Sequence, residues 1–143
     1  MVTSKPRKRR AKATGRIILT DESLTRIKEQ RVEKGNVFEV AKVAAIMAVK
    51  RTPEIIPYCH PILVEDVRVD FRLGENSVMV DLEVKASAKT GVEMEALTGL
   101  TAALLAIWDM VKKYEKDEFG QYPNTIITDI RVVEKVKGNS KNI

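Results

Sequence analysis

Among its 143 residues the chain has one cysteine and one histidine. A single cysteine cannot close an internal disulfide, which accords with a reducing compartment. One Cys with one His also cannot complete a soft metal site, so no metal ion is expected. Aromatic residues make up 5% of the chain, few for a sheet that reads RNA by stacking bases. No apolar run reaches the length that spans a bilayer, and the first residues lack the apolar core of a signal peptide. These absences lead us to expect a cytoplasmic protein without a membrane partner.

Charge is plentiful but unevenly placed. Of 25 basic residues, Lys5, Arg7, Lys8, Arg9, Arg10, Lys12 and Arg16 precede the first acid, Asp21. The remainder holds 18 basic against 20 acidic residues, so the net +5 resolves into a basic arm and a body of about −2. Such arms, here over residues 1–12, are ordinarily solvated and flexible. A nucleic-acid-binding module that lays this arm on phosphate is the alternative function. It is the weaker one, since the expected strands offer one aromatic, Phe71, and in an inward-facing register. With 44% hydrophobic and 31% charged residues, residues 1–143 suit one globular domain.

Periodicity gives the elements. Residues 14–19 read as a short first strand, and Thr20 or Asp21 can cap a helix over about 22–31. Asn36 followed by Glu39 resembles a capping box for a helix over about 37–51, apolar nearly all round and so expected to be buried on more than one side. Val67, Val69, Phe71 and Leu73, then Val78, Val80, Leu82 and Val84, alternate with polar residues around Gly74-Glu75-Asn76-Ser77. That pattern is an antiparallel hairpin with one buried face. A long helix follows over about 92–114, then a polar turn and a last strand over 125–133. Strand, helices, strand, strand, helix, strand is the split βαβ, or ferredoxin-like, order. The fold class is therefore α+β, an antiparallel sheet with helices packed on one face.

Three places carry polar residues with unusual surroundings. Pro57-Tyr58-Cys59-His60-Pro61 holds the lone cysteine and histidine between two prolines that forbid helix interior and central strand. Such a rigid irregular segment either packs a turn or presents side chains to a ligand. Neighbouring residues there point to opposite sides, so a Cys-His dyad or a metal site is disfavoured and a Cys59 nucleophile ranks low. Asp109 lies within Leu104-Leu105-Ala106-Ile107-Trp108-Asp109-Met110-Val111. A carboxylate buried in such a run is costly unless paired, and Lys112, three residues on, can supply the pairing. Either Asp109 faces solvent on an open stripe or it is functional, and the apolar neighbours favour the second. Glu93 and Glu95 sit in the first turn of the same helix, where acids also complement the helix dipole. Glu95 and Asp109 are 14 residues apart, almost on one helical face and about 21 Å apart along the axis. A site that uses both must be built from two chains.

Several of these stretches resemble one family. Lys50 to Ile62, with Pro57-Tyr58-Cys59-His60-Pro61 inside it, resembles the signature of cyclic pyranopterin monophosphate synthase, the molybdenum cofactor biosynthesis protein C. Lys34-Gly35-Asn36-Val37, Thr90-Gly91-Val92-Glu93-Met94-Glu95-Ala96-Leu97-Thr98, Trp108-Asp109-Met110-Val111-Lys112 and the spaced Arg9, Ala11, Ala13, Gly15, Ile17 agree as well. Tyr58 and Pro53 depart from the family's commoner residues. The C-terminal Lys137-Gly138-Asn139-Ser140-Lys141 matches its Gly-Gly-Lys-Ser tail only loosely, which makes Lys141 a weak candidate phosphate ligand.

The resemblance implies a ferredoxin-like subunit in a homohexamer, a trimer of dimers with sites at subunit interfaces. It implies a nucleotide-derived small-molecule substrate, 3′,8-cyclo-7,8-dihydroguanosine triphosphate, and cyclic pyranopterin monophosphate and pyrophosphate as products. Neither nucleic acid nor a bound cofactor is implied, with Mg²⁺ on the triphosphate left open. Carried over position by position, Asp109 falls on the catalytic acid/base, with Lys112 and Lys34 beside the chemistry. Tyr58, Cys59, His60, Glu93, Met94, Glu95 and Arg9 fall on substrate-binding positions.

Overall fold

The computed structural model describes residues 5–138; Lys141 lies outside them. The chain runs β1 (Arg7–Ile18), α1 (Asp21–Lys28), α2 (Val37–Lys50), α3 (Thr52–Ile55), β2 (Leu63–Leu73), β3 (Ser77–Ala88), α4 (Glu93–Glu115) and β4 (Ile126–Gly138). The strands form one antiparallel sheet in the order β2-β3-β1-β4. This is the order that two interlocked split βαβ units produce.

The first strand begins at Arg7, not near residue 14, so half of the supposed flexible arm, residues 7–12, belongs to a central strand. Ala11 and Ala13 are completely buried under the helices. The intervening charges lie on the open sheet face, where Arg10 meets Glu134 at 2.7 Å and Glu83 at 3.3 Å. The alternation was present in the sequence, but alanine carries too little hydrophobicity to announce a strand. Small residues are needed here because α4 lies close: a Cβ on Gly15 would stand 3.1 Å from Leu104 Cδ1.

The hairpin pairs as its alternation requires, with Val67 opposite Val84, Val69 opposite Leu82 and Phe71 opposite Val80. Phe71 does face inward, stacked on Phe38 with ring centroids 4.6 Å apart. Thr20 caps α1, and Asn36 caps α2 by accepting the Glu39 N–H. The outer stripe of α2 is not buried as expected: Val40, Val43 and Met47 remain exposed.

α4 is the helix the rest packs around. By length and composition it could cross a membrane, an apolarity hidden in the sequence by interspersed Thr and Gly. It is instead the core helix, lying across β1 and β3 and against α2. Gly99 sets that closeness, since a Cβ there would come within 2.5 Å of Val49 Cγ2. At its far end Glu115 is buried and accepts hydrogen bonds from the Thr20 N–H (3.0 Å) and the hydroxyls of Thr20 (2.7 Å), Thr125 (2.7 Å) and Ser23. This carboxylate ties the starts of α1 and β4 to the last turn of α4. Burial pushes its pKa up, but the hydroxyls of Ser23, Thr125 and Thr20 outweigh that and hold it below the usual carboxylate range.

Candidate active site

The candidate residues gather at the two ends of α4. Near its C-terminal end Lys112 Nζ lies 3.1 Å from Asp109 Oδ1, and Lys34 Nζ lies 3.5 Å from Asp109 Oδ2 and donates to the Asp109 carbonyl at 3.0 Å. The first contact follows from helix geometry, because residues three apart share a face. The second is tertiary, since Lys34 comes from the loop between α1 and α2. That loop turns on the left-handed backbone of Gln30 (φ 56°) and Gly35 (φ 118°) and ends at the Asn36 cap.

Asp109 is exposed rather than buried, its side chain 61% accessible in the single chain. Ile107, Met110 and Val111 turn inward, which leaves Asp109 on the stripe facing away from the sheet. Trp108 stays partly exposed and leans edge-on against Tyr122. The expected pairing with Lys112 holds. The hydrogen bond from Lys112 and the charge of Lys34 together keep the Asp109 carboxyl below its ordinary pKa. The arrangement is an ionised carboxylate clasped by two ammonium groups. It can accept a proton, and the lysines can donate one or neutralise phosphate charge.

The N-terminal end of α4 is different in character. Glu95 is 3% exposed and borders a cavity of about 190 Å³ with Lys50, Pro53, Pro61, Ile62 and Val64. Burial raises its pKa, and the charge of Glu93 adds to the shift. Cys59 is half-buried nearby; burial raises the thiol's pKa, and Glu95 and Glu93 raise it further. A thiol held neutral in this way is a poor nucleophile. Tyr58 is 95% exposed and His60 is exposed beside it. Among the described residues no three of His, Cys, Asp and Glu come together to hold a metal.

The other binding candidates sit around this end. Glu93 pairs with Lys135 on β4 at 3.0 Å. Arg9 donates from Nη2 to the Lys89 carbonyl at 3.0 Å and from Nε to the Ala88 carbonyl at 3.3 Å. Its guanidinium thereby braces the loop that feeds α4. Met94 turns away from the Glu95 cavity, onto an apolar groove shared with Ile55, Leu97 and Leu105.

The single chain therefore brings Lys34, Lys112 and Asp109 together, and separately brings Cys59, Glu93 and Glu95 together. It does not join the two groups, which a straight helix holds about 21 Å apart. Sequence reading missed Lys135 opposite Glu93, and it placed Lys50 at the start of the signature stretch without linking it to Glu95. Nothing local marks either residue. Each acquires its neighbour through chain separations of some 40 residues, which only folding closes.

Comparison with known proteins adds a separate line. The model of the MoaC family matches residues 1–138. A protein of Methanosarcina mazei named probable cyclic pyranopterin monophosphate synthase is 56% identical over 132 residues, which is 92% of this chain and 84% of the relative. One of the same name from Pyrococcus horikoshii is 60% identical over 129 residues, 90% and 81% of the two chains. A protein of Methanothermobacter thermautotrophicus, named as a probable accessory protein of that synthase, is 53% identical over 137 residues, 95% and 86% of the two chains.

Proposed function

Because the chain belongs to the MoaC family, we propose that it is a cyclic pyranopterin monophosphate synthase, a lyase of molybdenum cofactor biosynthesis. Its substrate is 3′,8-cyclo-7,8-dihydroguanosine triphosphate, and its products are cyclic pyranopterin monophosphate and pyrophosphate. The observation that carries the reading is the Asp109 carboxylate between two ammonium groups, Lys112 at 3.1 Å and Lys34 at 3.5 Å.

The chemistry asks for such a group. Opening the purine's five-membered ring and closing the pterin ring takes several proton transfers. A ribose hydroxyl oxygen then bonds to the α-phosphorus as the bond to the bridging oxygen breaks. Pyrophosphate leaves with that bond's electrons, and the hydroxyl proton passes to a base. Asp109, ionised, is that base or its relay. Lys34 and Lys112 offset the negative charge that grows on the phosphoryl and leaving oxygens. Tyr58, Cys59, His60, Glu93, Met94 and Glu95 bind the substrate, with Arg9 bracing the loop beside them. No redox step occurs, so the reaction needs no redox cofactor; Mg²⁺ would enter with the triphosphate.

The same reading requires partner copies in a cytoplasmic homohexamer, a trimer of dimers. Two observations support an assembly. The Asp109 group and the Glu95 group are too far apart to serve one substrate within a chain. The helical layer also leaves Val43, Met47 and Leu105 about half exposed beside an apolar groove of about 360 Å³, surface that soluble chains ordinarily cover. Incubation of the purified protein with the cyclised GTP intermediate, followed by mass spectrometry, tests the function. Cyclic pyranopterin monophosphate and pyrophosphate are expected in equal amounts, and unchanged intermediate overturns the reading.

A further inference from the structure

Lys34 is carried on an exposed loop, yet its ammonium must meet Asp109 within hydrogen-bonding distance. Residues 29–31 and 33–36 are exposed, and Val32 is the one residue of this stretch that packs into the core. What holds the loop to the helix bearing Asp109 and Lys112 is a small set of contacts from the last turns of α4. The Glu33 N–H donates to the Tyr114 hydroxyl at 2.9 Å. Lys113 pairs with the Glu33 carboxylate. The Arg26 guanidinium lies 4.3 Å over the Tyr114 ring and donates to the Arg31 carbonyl at 3.1 Å. Tyr114 is half-buried, two residues past Lys112 and five past Asp109.

We propose that Tyr114 is a positioning residue for Lys34. Its hydroxyl anchors the backbone N–H of Glu33, the residue before Lys34, to the helix that carries Lys34's partners. The inference rests on the functional reading above for its catalytic consequence, and on geometry alone for the contact. A lysine has four rotatable side-chain bonds, so fixing its ammonium requires first fixing its backbone. Of these contacts, the Lys113–Glu33 pair joins two exposed side chains and is weak in water. The Tyr114 hydroxyl is the only contact among them that takes a backbone group of the loop directly to α4. The aromatic ring is in turn braced by Arg26, so the hydroxyl is presented from a rigid base. Displacing a charged group by about 1 Å from a reacting centre costs up to about 10²-fold in rate.

Tyr114→Phe removes the hydroxyl and keeps the ring under Arg26, so the fold is retained, as the melting temperature will record. The first measurement needs no substrate. The full-length protein is treated with a limiting amine-reactive acylating reagent, and the modified lysines are quantified by mass spectrometry. Lys42, exposed on α2, serves as the internal reference. Lys34 labelling relative to Lys42 is expected to rise several-fold in the variant, because the amine spends less time against Asp109. The second measurement is steady-state turnover of the cyclised GTP intermediate. The expected result is a fall of about tenfold in kcat with KM nearly unchanged, and an acidic limb of the pH–rate profile displaced upward as Lys34's charge moves away from Asp109. Tyr114→Leu, which also removes the ring, should reproduce the increase in labelling. Unchanged Lys34 labelling in both variants overturns the proposal, as does increased labelling with wild-type kcat. A wild-type protein without turnover would overturn the functional reading and the catalytic half of this one, while the labelling result would still decide whether Tyr114 holds the loop.

Discussion

The separation of Glu95 from Asp109 leads to a complementation experiment with a calculable yield. α4 runs unbroken from Glu93 to Glu115, so the two carboxylates are 14 residues and about 21 Å apart along its axis. One site that uses both must draw Glu95 from one subunit and Asp109 from its neighbour. Glu95→Gln and Asp109→Asn keep shape and remove charge, and each alone should lower turnover by about 10²–10⁴-fold. When the two variants are mixed in equal amounts and exchanged at random, half the chains retain Glu95 and half retain Asp109. A two-fold interface then assembles about a quarter of its sites from intact groups. Turnover near a quarter of wild type should therefore return, from parents that show almost none. Exchange is verified by native mass spectrometry of differently tagged chains, and turnover is read as product formed after gentle dissociation and reassembly. Confirmed exchange without recovered turnover would refute the shared site, and the substrate would then have to reach both residues on one chain.

Glu95→Gln should also stabilise the protein at neutral pH, because burial disfavours the charged form of this carboxyl and raises its pKa. The sign follows: with the folded pKa above the unfolded one, wild-type stability is lost as pH rises through the shifted value, so the gap in melting temperature should close below about pH 4. Glu115→Ala should cost about 3–5 kcal/mol in urea unfolding at pH 7, since it strands the Thr20 N–H and three hydroxyls in the interior. The Glu115 pKa is lowered, so this contribution is present above the unfolded carboxylate pKa and lost as pH falls through the folded one. A loss smaller than about 1 kcal/mol would show the network to be dispensable. Gly99→Ala sets about 1 kcal/mol of helix propensity against overpacking of about 1–3 kcal/mol. With Val49 Cγ2 at 2.5 Å from the added carbon, overpacking should prevail and lower the melting temperature.

Much of this molecule is local and was therefore legible in the sequence. Alternation over residues 67–84 determined the hairpin and its buried face, because a strand's side chains alternate whatever surrounds them. The Asn36 cap and the Lys112–Asp109 pairing follow from helix geometry within four residues. The order of elements determined the fold class, and the spacing of Glu95 from Asp109 already implied that a site using both would need two chains. Other features depend on contacts between distant segments. The first strand's start at Arg7 depends on Glu83 and Glu134 pairing with Arg10 and on α4 lying close enough to require Ala11, Ala13 and Gly15. The exposure of Asp109 depends on which stripe of α4 the sheet takes, and its apolar neighbours concealed that choice. The approach of Lys34 to Asp109, across 75 residues of chain, and the hold of Tyr114 on Glu33 arise only when α1 and α2 dock on α4. A sequence records the propensity of each segment, whereas a site is a set of distances between segments. Those distances are settled by how closely small residues let α4 approach the sheet and α2.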